Sequence, residues 1–132
     1  MAEGLTHRVR IERVDCGTAL ARLEPAAGAS EPHDGEAILA LAHRSCAAAM
    51  SGIADALPGV TRCRAAESKV THLRTVSGSI CAAALVDREL PQHLTDDLRR
   101  DGSARARVHV ALVDAAGEAV AFGTFDYDVA HG

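Results

Sequence analysis

Residues 35–57, GEAILALAHRSCAAAMSGIADAL, form a long helical segment that is unusually poor in bulk. Ile38, Leu41, Ala42, Ser45, Ala49, Gly52, Ile53 and Ala56 recur at helical spacing on one face, and most of them are small. Asp34 stands at the N-cap position, and Pro58-Gly59 ends the segment. The distance at which another layer packs on a helix follows the size of the side chains between them. A sheet can therefore come close to this one, and the expected architecture is α+β, with one curved antiparallel sheet wrapped around a central helix. An ordinary amphipathic helix lying on an α+β sheet is the alternative.

The flanking sequence supplies the strands. Two short alternating segments, HRVRIERV and TALARLE, are broken at Asp15-Cys16-Gly17, where Asp followed by Gly signals a hairpin. PAAGASEPHD, 25–34, is loop, because Pro, Gly and Ser stop regular structure. Four more strands are expected at 62–76, 79–86, 104–113 and 119–129, with Asp114-Ala115-Ala116-Gly117 as the turn joining the last two. PQHLTDDLRRDG between them reads as a short surface helix, with Pro91 in its first turn, Leu94 and Leu98 four apart, and Gly102 as its stop. The expected order is β-β-α-β-β-(short α)-β-β, with no internal repeat.

A chain of 132 residues makes a single domain, 1–132, small enough that a ligand groove often needs a second subunit. The formal charge of -4 offers no broad basic footprint, which argues against nucleic acid as a partner. The N-terminal residues MAEGLTHRVRIERVD lack an apolar leader core, and no uninterrupted run of about 18 apolar residues marks a membrane span, so a cytoplasmic protein is expected. Cys16, Cys46, Cys63 and Cys81 show no zinc-ligand or CxxC spacing; small buried hydrophobes are expected, and no metal site.

Residues 67–84, ESKVTHLRTVSGSICAAA, carry a family likeness. An apolar strand ends in a corner where Val70, Leu73, Arg74, Val76 and Gly78 hold the places of a hydrophobic-x-x-Leu-Arg-Pro-x-x-Gly pattern, with Thr75 in the place of proline. Ser68, Leu90-Pro91, the Arg-Arg-Asp-Gly of 99–102 and the V-D-x-x-G-E-x-V-A of 113–121 follow in order. In these features the chain resembles the hotdog acyl-CoA thioesterase superfamily, in the branch of the phenylacetate-pathway thioesterases and the thioesterase-like C-terminal domain of YiiD. The resemblance implies a hotdog fold and a homodimer, possibly extended to a tetramer. It also implies hydrolysis of an acyl-CoA or acyl-carrier-protein thioester, with coenzyme A as part of the substrate and no further cofactor. It departs from the pattern at two points. A His-Gly-Gly segment of the phenylacetate-type enzymes corresponds here to His33-Asp34-Gly35-Glu36, and the family's catalytic aspartate place falls on His43.

Thioester hydrolysis needs a polarised carbonyl and an activated water or nucleophile. The unpaired N–H groups of a helix start can polarise the carbonyl, and Gly35 lets an oxygen approach them. Glu36 and His43, seven apart, lie on one face about 10 Å along the axis, and either can take a proton from water. The plainer roles are a first-turn acid complementing the helix dipole for Glu36 and an interface or partly buried histidine for His43. Asp34 is most simply an N-cap and His33 a loop residue; in a functional role they stand at the pocket mouth. Arg74, Arg99 and Arg100 are candidates for the phosphates of coenzyme A, or plain surface arginines beside Asp96, Asp97 and Asp101. Two alternatives stay open: a non-catalytic acyl-thioester or small-ligand binding protein, and a hotdog enoyl-thioester hydratase or dehydratase working through His33 and an acid.

Overall fold

The computed structural model of the chain describes residues 8–15, 17–24, 35–56, 60–86 and 90–131. Alternation with a period of two places every second side chain on a common face, and six such segments are strands. They are β1 (Arg8–Asp15), β2 (Thr18–Glu24), β3 (Val60–His72), β4 (Ile80–Val86), β5 (Ser103–Asp114) and β6 (Ala119–His131). Two helices complete the set, α1 (Gly35–Ala56) between β2 and β3, and α2 (Leu90–Asp101) between β4 and β5. The strands form one sheet in the order β1-β2-β4-β5-β6-β3, every neighbouring pair antiparallel. The strand expected at 62–76 ends earlier, at His72, because Leu73 and Arg74 both turn their N–H groups to the Val120 carbonyl, at 2.8 and 3.4 Å. That shared acceptor takes the chain off the ladder.

α1 lies on one face of the sheet. Leu41, Ala42, Cys46 and Ala49 are fully buried there, and Ile38, Met50 and Ile53 nearly so. The buried stripe is broader than the expected one, taking in Ala37, Cys46 and Met50, while Gly52 is only half-buried. The sheet is equally thin beneath it. One row running across β2, β4, β5 and β6 reads Ala21, Ala82, Leu112, Ala121, and the next reads Ala19, Ala84, Val110, Gly123. Small side chains on both surfaces bring the layers together, and Ser45 satisfies its buried hydroxyl by donating to the Leu41 carbonyl at 2.7 Å. Alanine also raises average hydropathy, so the 35–55 stretch is long and apolar enough for a membrane span, with a mean hydropathy of 1.3. Half of that window is buried against the sheet, as in a core helix.

Two glycines are fixed by close approach. Gly17, at φ +86°, sits where an added Cβ would lie 2.6 Å from Val86 Cγ2. Its carbonyl accepts from the Val86 N–H at 2.9 Å, tying the first hairpin to β4. Gly123 has ordinary φ, but a Cβ there would come within 2.3 Å of the Lys69 carbonyl oxygen. Only a residue without a side chain lets β3 run this near to β6.

On the outer face, Asp126 is 6% exposed and accepts two hydrogen bonds from Arg107, at 2.8 and 3.2 Å. The Arg107 guanidinium holds its carboxyl below the usual carboxylate range.

Two outcomes follow from this packing. Ala49→Leu should destabilise the fold by about 1–3 kcal/mol in chemical denaturation, since an overpacked contact pushes the sheet off the helix; an unchanged midpoint would exclude the close contact. Asp126 carries a lowered carboxyl, so its contribution to stability is full above about pH 4 and is lost as pH falls through the folded-state value. Asp126→Asn should therefore flatten the acid limb of a stability-against-pH curve below about pH 4.

Candidate functional site

The first turn of α1 brings Gly35 and Glu36 to an exposed end of the helix. Among the described residues nothing lies within 4 Å of a Cβ built on Gly35. His33 and Asp34 lie outside the described residues. Glu36, Leu39 and His43 follow at spacings of three and four, which sets them on one face. All three are exposed, Leu39 by 43%.

His43 does not stand alone on that face. Its ring meets Phe125 of β6 at 5.9 Å between centroids, tilted by 49°. Phe125 is directly opposite Ser68 of β3 in the antiparallel ladder. Cross-strand partners have their Cβ atoms about 5 Å apart on one face, so Ser68 joins His43 around the same aromatic ring. Ser68 is exposed. The exposed imidazole of His43 and the exposed hydroxyl of Ser68 thus flank the buried ring of Phe125, one from the helix and one from an edge strand. The imidazole nitrogens can donate or accept a hydrogen bond, and the hydroxyl can donate to or accept from a water or carbonyl held beside it.

Ser68 was visible in the sequence only as part of a motif. A bulge between Ala65 and Glu67 breaks the alternation of β3, so that Cys63, Ala65, Ser68 and Val70 pair with the helix-facing residues of β6. Strict counting from His72 puts Cys63 and Ala65 on the other face.

The three arginines have different surroundings. Arg74 donates from Nε to the Ala119 carbonyl at 3.0 Å and from Nη2 to Asp114, with Glu118 at 3.3 Å. Asp114 in turn accepts from the N–H groups of Ala116 and Glu118, both at 2.9 Å. The Glu118 N–H, followed by Arg74, keeps the Asp114 carboxyl below its ordinary range. Arg74 is therefore held in the clasp that closes the β5–β6 hairpin, 40 residues away in sequence. On α2, Arg100 pairs with Asp97 at 2.6 Å and Asp101 at 3.4 Å. Arg99 is exposed and forms no ion pair with the described residues.

The thiols are poorly suited to attack. Burial pushes Cys46 up to about 12 and also raises Cys63, and a nucleophilic cysteine needs the opposite shift. Among the described residues no three His, Cys, Asp or Glu side chains gather as a metal site.

No protein-family model matches the chain. No curated protein matches it in sequence. Solved structures do match in fold. PA5026 of Pseudomonas aeruginosa, a protein of unknown function and probable thioesterase, superposes with a TM-score of 0.82 at 24% identity, over 100% of this chain and 89% of its own. PaaI of E. coli, from the phenylacetic acid degradation operon, gives 0.67 at 18% identity, over 99% and 86%. A point mutant of the thioesterase SAV0944 of Staphylococcus aureus gives 0.71 at 12%, over 95% of each chain. Six antiparallel strands in the order β1-β2-β4-β5-β6-β3 with one long helix packed on them, superposing end to end on these proteins, make the chain a hotdog-fold protein.

Proposed function

We propose that the protein hydrolyses an acyl-CoA thioester in a cytoplasmic setting, in a groove completed by a second copy of the chain. The observation that carries this is the meeting of His43 and Ser68 around Phe125 on a strip that one chain leaves uncovered. The thioesterases among the structural neighbours support it.

A single chain separates the parts of the chemistry. His43 lies eight residues beyond Gly35, about 12 Å along α1, too far for one thioester to touch both. The helix start of a second copy brings the missing donors to His43 if the two chains pack with α1 against the open strip. β3 offers the seam. Residues 62–69 are all exposed, β6 is their ladder partner on one side, and among the described residues no strand pairs with the other edge. An unpaired edge of this length next to the exposed Leu39 is relieved by a twofold partner.

In the proposed reaction the thioester carbonyl points at the helix-start N–H groups of one copy. His43 of the other takes a proton from water, and the hydroxyl of Ser68 holds that water in line. Addition gives a tetrahedral oxyanion that the helix start stabilises; its collapse expels the thiolate of coenzyme A, which recovers the proton from His43. Glu36, exposed at the mouth, is the competing base. Arg99, exposed on α2, is the proposed partner for a phosphate of the coenzyme. A pantetheine arm on an acyl carrier protein presents the same thioester. The imidazole at the family's aspartate place favours one other outcome, acyl-thioester binding without hydrolysis.

Sedimentation should show a dimer at micromolar concentration, and a stable monomer would remove the composite groove. Release of free thiol from a panel of acyl-CoA substrates separates hydrolysis from binding alone. Glu36→Gln should keep the fold and lower turnover ~10²-fold or more if the carboxylate is the base. His43→Ala should be the more damaging change if the imidazole is. Substrate affinity should persist in both variants, because the helix-start donors remain. If the wild type cleaves an acyl-CoA and neither change slows it, the proposed site is wrong.

A further inference from the structure

Alternation along β6 turns Phe125 and Tyr127 into the core, and so sends Phe122 and Thr124 to the outer face of the sheet, away from α1. The antiparallel register then builds two rows across three strands. Thr124 stands between Lys69 of β3 and His109 of β5, and Phe122 stands between Thr71 of β3 and Ala111 of β5. Strands lie about 4.8 Å apart and the rows about 7 Å, so these side chains surround one small area. A hollow of about 360 Å³ opens there, lined by Lys69, Thr71, His109, Phe122 and Thr124. The Phe122 ring leaves half of its surface exposed in it. Among the described residues Lys69 forms no ion pair, and the hydroxyls of Thr71 and Thr124 have no hydrogen-bond partner. No acid lines the hollow. The acids of the next row, Glu67 and Asp126, face Arg107 instead: Asp126 accepts two hydrogen bonds from it, and Glu67 adds its charge.

We propose that this hollow on the outer face binds a small aromatic carboxylate. The carboxylate accepts from the Lys69 ammonium and the Thr124 hydroxyl, with the Thr71 hydroxyl and the His109 ring beside it. The ligand's ring lies against Phe122, offset or edge to face, as aromatic pairs prefer. Ala111, across from Phe122 in the ladder, leaves room for it. The class of ligand follows from the donors. A carboxylate presents two oxygens with about four acceptor positions, and one ammonium with two hydroxyls can fill them. Its bond to the ammonium is charge-assisted and so among the stronger kinds. A phosphate dianion is best met by guanidinium forks or by the N–H groups of a helix start, and neither lines this hollow. An uncharged ring leaves the donors unmet, and a site of that kind rejects it. The hollow is on the opposite side of the sheet from His43, so the proposal does not rest on the thioester reading.

The test uses 2-naphthoate and 2-naphthalenemethanol, which share a ring system and differ in the carboxylate. Titration calorimetry on the wild-type protein should show the acid bound at one site per chain and the alcohol bound roughly tenfold more weakly or not at all. Lys69→Met keeps the stem and removes the charge; Thr124→Val keeps the branched shape and removes the hydroxyl. Each should weaken 2-naphthoate roughly tenfold and leave the thermal midpoint where it was, because neither group bonds to a described residue. Phe122→Leu should abolish the wild type's preference for 2-naphthoate over decalin-2-carboxylate, its saturated counterpart. Amide shifts in a nuclear magnetic resonance titration should centre on Lys69, Thr71, His109 and Thr124. His43→Ala, on the helix side of the sheet, should bind 2-naphthoate as the wild type does. Equal binding of acid and alcohol, no preference for the aromatic acid, or affinity that survives in Lys69→Met overturns the proposal. So does binding lost in His43→Ala, which would place the acid in the helix-side groove. Absence of binding at millimolar concentration overturns it as well, and is the result expected if a second copy covers this face.

Discussion

The contact on which everything else depends is the one between two thin surfaces, the alanine-rich side of α1 and the alanine rows of β2, β4 and β6. Larger side chains, Ile38, Leu41, Met50 and Ile53 on the helix and Leu112 on the sheet, fill the space between the small ones. Close packing at interior density makes each added methylene costly, so the separation between helix and sheet is set rigidly. Toward β3, Phe125 and Tyr127 of β6 add aromatic bulk to the same buried core, and His43 packs on Phe125.

Much of this was legible in the chain, for reasons that differ from element to element. α1, the hairpin at Gly17 and the β5–β6 turn are local, written in helical spacing, alternation and turn chemistry, and their limits differ from expectation by a residue or two. The order of strands within the sheet was not legible, because no local signal tells β3 to cross to the far side of β6. The site was legible only in part. Glu36, Gly35 and His43 are found by their positions on one helix. Ser68 comes into view only when β3 is registered against a residue 57 positions later, and a bulge that alternation cannot foresee decides which side of β3 meets the helix. Arg74 is the complementary case. A lone arginine at a corner reads as a phosphate ligand, whereas its bonds to Ala119 and Asp114 engage it in holding a distant hairpin.

Charge is distributed to match. β1, at the opposite edge of the sheet, carries Arg10, Glu12, Arg13 and Asp15, joined with Arg22 and Glu24 in a set of exposed ion pairs. Such pairs contribute little to stability, about 0–1 kcal/mol each, but a charged and bulged edge is a poor template for another strand. β3, at the other edge, is likewise charged and bulged, carrying Arg62, Arg64, Glu67 and Lys69 and shifting register at two points.

The position of β3 in the sheet also orders events in time. Its ladder partner β6 comprises Ala119–His131, and no strand before that one in the chain pairs with β3. During synthesis, residues 60–72 leave the ribosome well ahead of the strand that will seat them. Contacts of such sequence separation are slow to close, since the loop entropy is lost before any pairing compensates it. Through that interval the segment is an unpaired strand, and Arg62, Arg64, Glu67 and Lys69 along it act as gatekeepers against pairing with other nascent chains. The β3 edge of the sheet is therefore completed last, when the C-terminal strand locks against it.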